Sequence, residues 1–181
     1  MNTRHWLGQA KRADAAIYAA VARTDIPLID RAMRVLSNAA NYSRLWIATA
    51  GVLAAARGEL GRRAATDGLA SIALTATIVN AALKPLGNRR RPAPAAPAAR
   101  RVHMPRSRSF PSGHAATAFA FATAVAHTDP HTSAPLRALA ALVAYSRIHT
   151  GVHYPGDVVI GSLLGISLAH LTLSLRERRC S

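Results

Sequence analysis

Ser146-Arg147-Ile148-His149-Thr150-Gly151-Val152-His153-Tyr154-Pro155-Gly156-Asp157 is the stretch on which the reading of the whole chain turns. It holds a fixed cation (Arg147), two imidazoles (His149 and His153) and a carboxylate (Asp157), and it opens onto a long apolar run. His153 and Asp157 are four apart, so an early helical turn brings them to one face. A carboxylate in that place can fix the tautomer of an imidazole and raise its basicity, as the third member of a triad does, which makes His153 a candidate nucleophile. The plainer reading is a short polar loop between two membrane helices, with Asp157 as N-cap of the second. The remainder of the chain decides between them.

Half of the 181 residues are hydrophobic, 17% are charged, and 23 basic residues against 8 acidic ones give a net charge of +15. A soluble nucleic-acid binder with that charge would cluster basic and aromatic residues on folded surfaces. Here the cations lie between long Ala/Leu/Val/Ile runs, the pattern of a membrane protein in contact with anionic groups, and no nucleic-acid partner is expected. The single Cys180 excludes an internal disulfide framework and a cysteine metal cluster. The first residues lack an apolar core followed by a small-residue cleavage site, so no signal peptide is expected.

Outward from the opening stretch, residues 157–175 form one span closed by Arg176-Glu177-Arg178-Arg179, and 135–146 form another before it. A polar turn, 128–133, separates these from a span over 112–127. Upstream lies a long loop, 85–110, where Pro92, Pro94 and Pro97 forbid a helix and arginines crowd. Residues 67–83 make a further span, with Asp67 as its cap, after a short basic turn at 57–63. The span over 42–57 is marginal, since its apolar stretch covers only about 20 Å of a core near 30 Å. Residues 4–22 and 26–36 place apolar side chains among charged ones and read as amphipathic helices at the membrane surface, with Pro27 in a first turn. Gly161 and Gly165 are a small-xxx-small pair that lets a neighbouring helix approach. The expected fold is an all-α integral-membrane bundle of about five transmembrane helices. Interfacial helices over 1–40 precede a membrane domain over 41–181.

Alternation of five spans puts four polar clusters on one side of the membrane: Lys84 and the arginine loop, Ser112 with His114, Arg147, and His153 with Asp157. Setting Lys84, Arg91 and Arg147 aside, thirteen cations fall on that side and seven on the other. The positive-inside rule then turns the site towards the cytoplasm.

Three short motifs converge there: Lys84-x6-Arg91-Pro92, then Pro111-Ser112-Gly113-His114, then Ser146-Arg147-x5-His153-x3-Asp157. Each alone arises readily by chance, but in this order at helix ends on one face they are specific. The pattern resembles the type 2 phosphatidic acid phosphatase superfamily, and every motif position is filled over residues 84–157. That resemblance implies a phosphatase of the bacterial plasma membrane. His153 would be the nucleophile, held by Asp157, and His114 the general acid and then base. Lys84, Arg91 and Arg147 would bind the phosphoryl oxygens, with Ser112 and the Gly113 amide adding donors at a helix N-terminus. Three fixed cations can replace a metal ion, so no metal and no cofactor are expected. His149 falls outside the pattern and reads as structural, and His103, Arg106 and Arg108 read as solvated loop residues.

The expected substrate is lipid-linked, with its tail left in the bilayer. A polyprenyl-phosphoryl sugar phosphate such as decaprenylphosphoryl-5-phosphoribose, a cell-wall precursor, leads by similarity to actinobacterial members. A polyprenyl diphosphate, phosphatidylglycerophosphate and phosphatidic acid are the alternatives, and a vanadate haloperoxidase is disfavoured by the short membrane chain. A non-catalytic lipid-binding protein is the alternative of another class. Besides its substrate and membrane lipids, a second copy of the chain is a partner that the sequence leaves open.

Overall fold

The computed structural model describes residues 3–93, 97 and 100–180, so Pro94 lies outside the described residues. It is all-helical. Two helices, α1 (Thr3–Arg23) and α2 (Pro27–Ala39), precede α3 (Arg44–Ala56) and α4 (Gly58–Leu86), which carries a π-turn at Ile78–Leu83. After the long loop come α5 (Gly113–Thr128), α6 (Ser133–His149) and α7 (Pro155–Cys180).

The α5 sequence, GHAATAFAFATAVAHT, is apolar on all sides, and that composition suits a helix buried all round. It runs through the centre, packed by α4, α6 and α7. Ala118, Phe121, Ala122 and Val125 meet Trp46, Ile72, Leu136 and Val143 in the main core, where the Trp46 and Phe121 rings lie 5.3 Å apart. On the other side, Ala120 and Ala124 meet Ala169 and Leu173 of α7.

Lipid tails are as apolar as leucine, so helices in a bilayer associate by close packing rather than by escape from water. The glycines of α7 supply it. A Cβ on Gly161 would stand 2.5 Å from the Ser112 carbonyl oxygen, and one on Gly165 would stand 2.1 Å from that of Ala116. The expected small-residue seam is therefore the contact between α7 and α5.

Several boundaries differ from expectation. The helix expected to begin at Asp67 begins at Gly58, because Glu59 in its first turn takes bonds from Arg62 (2.8 Å) and Arg63 (3.0 Å) and makes the basic segment helical. Gly58 adopts φ +55°, a left-handed turn that joins α3 to α4 within a residue. Asp67 is then internal to α4 and bonds Thr128 Oγ1 (2.7 Å) and Arg176 Nε (2.8 Å), tying three helices at the end away from the site. Arg57, between α3 and α4, pairs with buried Asp129. Two helices among the described residues, Gly58–Leu86 and Pro155–Arg178, are long and apolar enough to cross a bilayer by themselves. At 13, 16 and 17 residues, α3, α5 and α6 are shorter.

The N-terminal helices turn polar side chains as well as apolar ones towards the bundle, among them Tyr18, Ala22 and Leu36. Asp14, Asp30 and Ser37 point inward and are buried, whereas Trp6, Ile17, Leu28 and Val35 are exposed. An outward apolar face suits a lipid or interfacial surrounding.

The seam predicts opposite effects of two glycine substitutions. Gly165→Val should destabilise the detergent-solubilised protein by about 1–3 kcal/mol. Gly51→Ala, where a Cβ meets nothing within 4 Å, should stabilise it by about 0.5–1 kcal/mol. Thermal denaturation checks both.

Candidate active site

The motif 146–157 folds as it does because of Gly151 and Pro155. Gly151 follows the C-cap of α6 at φ +76°, the left-handed position that glycine fills without strain. The chain turns back there, and the amides of Val152 (3.0 Å) and His153 (3.1 Å) both bond the Arg147 carbonyl. Pro155 then opens α7 at its first position. Asp157 is the third helical residue rather than the N-cap, and its Oδ2 reaches back to the Tyr154 amide at 3.0 Å.

This cap is also the centre of a polar cluster. Asp157 is fully buried, and its Oδ1 accepts from Arg89 at 3.0 Å. Its Oδ2 accepts a short hydrogen bond from Ser109 Oγ and lies 3.6 Å from His153 Nδ1. Ser109 Oγ is itself 3.4 Å from that nitrogen. With its own proton given to Asp157, the Ser109 oxygen is free to accept from His153 Nδ1–H. On the other side of the ring, Arg91 Nη1 approaches His153 Nε2 at 3.2 Å. A guanidinium only donates, so Nε2 carries the lone pair. Burial pushes the His153 imidazole down to about 4, partly opposed by its bond to Asp157, so the ring is neutral near pH 7.

Arg91 is held by the loop it belongs to, donating to the carbonyls of Pro105 (3.1 Å), Ser107 (3.0 Å) and Val152 (2.9 Å). Lys84 lies in the last turn of α4 with Nζ 3.5 Å from Ser107 Oγ. A Cβ on Gly113 would sit 3.5 Å from the same Nζ, so α5 starts directly beside the ammonium. Ser112 caps α5 by accepting from the Ala115 amide at 3.4 Å, and its own amide is taken by the Asp157 carbonyl at 3.0 Å. The donors left there include the Gly113 amide and the Ser112 hydroxyl proton. His114 Nε2 bonds Asn41 Oδ1 at 3.0 Å and lies within electrostatic reach of Arg147, His153, Lys84 and Arg91. Arg147, 1% exposed, donates from Nη1 to the carbonyl and the hydroxyl of Ser37, and its buried Nε has no hydrogen-bond partner among the described residues. A buried unpaired donor costs about 1–3 kcal/mol and marks a place for an acceptor.

All eight sequence-derived residues thus meet at one end of the bundle. His149 stands apart, with Nε2 2.8 Å from Asp30, whose other oxygen pairs with buried Arg100 at 3.0 Å, which fits the structural reading. His103, Arg106 and Arg108 are exposed. Among the described residues no group of three or more His, Cys, Asp or Glu is placed to hold a metal ion.

Sequence reasoning missed Arg89, Ser109, Asp14 and Asn41. Asp14 of α1 accepts from Arg89 and from the Gly156 amide (2.7 Å), so the N-terminal helix braces the motif. Arg89 also stacks 4.2 Å over the Tyr154 ring. Arg89 and Ser109 carried a weak signal, since polar residues inside a proline-rich loop need partners. Asp14 and Asn41 carried none. Beside His114, a groove of about 430 Å³ opens between α4, α5 and the turn at 41–43.

The cluster sets three cations, Arg147 buried and Lys84 and Arg91 half-buried, close to a histidine nitrogen that carries a lone pair, an arrangement suited to an anion. The chain belongs to the PAP2 superfamily, which matches residues 64–180, and is a membrane phosphatase acting on phosphate esters. It is 34% identical over 161 residues to the decaprenylphosphoryl-5-phosphoribose phosphatase of Mycolicibacterium smegmatis, covering 86% of this chain and 84% of that one. It is 39% identical over 74 residues to the undecaprenyl-diphosphatase of Sulfolobus acidocaldarius, of which the match spans 36% and which it meets over 40% of its own length. Among solved structures it resembles Aquifex aeolicus LpxE, with a TM-score of 0.73 and 28% identity over 88% of this chain and 94% of that one. It also resembles the transmembrane PAP2-type phosphatidylglycerolphosphate phosphatase of Bacillus subtilis, with a TM-score of 0.72 and 26% identity over 94% and 87%.

If Ser109 relays between His153 and Asp157, Ser109→Ala should lower kcat for phosphate release about tenfold, with KM little changed. An unchanged kcat would leave Ser109 a packing residue.

Proposed function

We propose that the protein removes a terminal phosphate from a lipid-linked substrate through a covalent phosphohistidine, and that this substrate is a polyprenyl-phosphoryl sugar phosphate such as decaprenylphosphoryl-5-phosphoribose. The observation that carries the chemistry is the lone pair of His153 Nε2, presented by a neutral ring beside Arg91 and among the cations Lys84 and Arg147. The substrate class is supported by the likeness, over most of both chains, to the Mycolicibacterium smegmatis enzyme.

In this reading His153 Nε2 attacks phosphorus, an N–P bond forms, and the P–O bond to the lipid-linked alcohol breaks. Positive charge that builds on the imidazole is stabilised through Nδ1 by Ser109 and Asp157. Lys84, Arg91 and the unpaired Nε of Arg147 hold the phosphoryl oxygens, joined by the Gly113 amide and the Ser112 hydroxyl at the N-terminus of α5. His114 gives a proton to the leaving alkoxide. It then takes one from the water that cleaves the phosphohistidine, and inorganic phosphate departs. The three cations supply the charge stabilisation that a metal ion would otherwise give. The helices cross the membrane five times, with α1 and α2 at the interface above a cytoplasmic site, a placement supported by the cation surplus on that side.

The partial match to an undecaprenyl-diphosphatase favours a polyprenyl diphosphate as second substrate. Phosphate release by purified protein in detergent with EDTA, from a phosphoribose lipid, a polyprenyl diphosphate, phosphatidylglycerophosphate and phosphatidic acid, separates these readings. Release should survive EDTA, be fastest with the phosphoribose lipid, and fall about 10⁴-fold or more in His153→Ala. Release that requires a divalent metal overturns the mechanism, and preference for another lipid overturns the substrate.

The His153 titration gives a further check. Its folded value of about 4 lies below the ordinary 6.5, so between these values the unfolded chain binds more protons. Stability from this group is present above pH 6.5 and is lost as pH falls towards 4, while the nucleophile stays neutral down to about pH 5. Histidine NMR, assigned by loss of the signal in His153→Ala, should show a midpoint near 4. A midpoint near 6.5 would mean a hydrated ring.

A further inference from the structure

Lys84, Gly113 and His114 line one end of the groove of about 430 Å³, whereas His153, Arg91 and Arg147 do not line it. It therefore adjoins the proposed acid and not the nucleophile. In-line phosphoryl transfer puts the attacking and leaving atoms on opposite sides of phosphorus. With His153 on one side and His114 protonating the departing oxygen on the other, the groove is where the leaving alcohol lies.

Its lining is hydroxyl and amide chemistry on a small-residue floor. Ala76, Asn80 and Lys84 form a stripe on α4 at intervals of four residues, and Asn80 sits within the π-turn Ile78–Leu83. Such turns are frequent at functional sites. The Asn80 amide makes no hydrogen bond among the described residues. Across the groove, Thr117 Oγ1 donates to the Gly113 carbonyl at 3.0 Å, so its lone pairs can accept from a ligand. The outer wall is Tyr42 and Ser43, held at φ 56° and 58°, a left-handed conformation that costs a non-glycine residue energy and persists only where surroundings impose it. The residue before them, Asn41, is the partner of His114, so one strained turn orients the acid and walls the groove.

The geometry points to a leaving-group subsite for a hydroxyl-bearing alcohol, a sugar or comparable polyol, read by Asn80 and Thr117. This rests on the phosphatase reading above and adds to it the basis of selectivity. Asn80 is exposed and Thr117 half-buried in the free protein, so an alcohol without hydroxyls that filled the groove would strip their water and leave them unpaired, whereas one with hydroxyls would bond them. The volume falls within the usual range for small-molecule sites.

The test compares kcat/KM for the phosphoribose lipid with that for phosphatidic acid, whose leaving diacylglycerol has no hydroxyl besides the departing oxygen, in wild type, Asn80→Leu and Thr117→Val. The ratio should fall about tenfold in each variant, carried by KM on the phosphoribose lipid. A ratio that stays constant, with both substrates slowed equally or neither affected, overturns the subsite. A gain on both substrates overturns it too and marks the groove as a path for the lipid chain. If wild type hydrolyses phosphatidylglycerophosphate but not the phosphoribose lipid, the sugar-phosphate reading fails by itself. The same ratio, measured with phosphatidylglycerophosphate, whose leaving alcohol keeps one hydroxyl, then decides the subsite: a tenfold fall upholds it and a constant ratio overturns it.

Discussion

A carboxylate taken wholly out of water costs several kcal/mol unless its oxygens are bonded, and Asp157 is such a group. Its partners come from three separate places: Arg89 and Ser109 from the loop after α4, the Tyr154 amide from the turn before α7, and Asp14 of α1 through Arg89. The loop must fold back over the bundle and α1 must lie across it for this one charge to be satisfied. The loop is irregular and proline-rich, yet it is held because its arginines are the counterions of buried acids. Arg100 repeats the device with Asp30 and His149, where it fastens the same loop to α2 and α6.

The other side of the site has the opposite character. Lys84, Arg91 and Arg147 lie within electrostatic reach of one another, and among the described residues no carboxylate is bonded to any of them. Like charges in a partly dehydrated setting repel, so this cluster is unfavourable until an anion enters. The protein tolerates it because Arg91 is spread over loop carbonyls and Arg147 is anchored on Ser37. One half of the site is thus locked by pairing with a carboxylate, and the other carries cations that no carboxylate bonds among the described residues. His153 stands at the boundary, with Nδ1 facing the locked half and Nε2 the open one.

The same economy explains the N-terminal helices. Amphipathic helices on soluble proteins bury their apolar stripe, but α1 and α2 bury Asp14, Asp30 and Ser37 and expose Leu28 and Val35. In a bilayer the solvent is apolar, so the polar groups are the ones that need the protein.

Spacing along the chain determined much of this by itself. Apolar runs closed by charged ends specified helices, Gly161 and Gly165 specified a close seam, and the offsets within Arg147-x5-His153-x3-Asp157 gathered three polar side chains around the connection between α6 and α7. Those features are local, set by the helical repeat or by contact between successive segments. The sequence misplaced the start of α4, because the Glu59 pairs that make 58–63 helical cost no apolar residues. It also had no means of finding Asp14, Asn41, Arg89 or Ser109 as partners of the motif. Their role depends on which buried charge or imidazole they happen to reach, across separations from tens of residues up to the 142 between Asp14 and Gly156. Only the tertiary structure decides that, since satisfying a buried polar group is a property of the packed molecule and not of any single stretch of it.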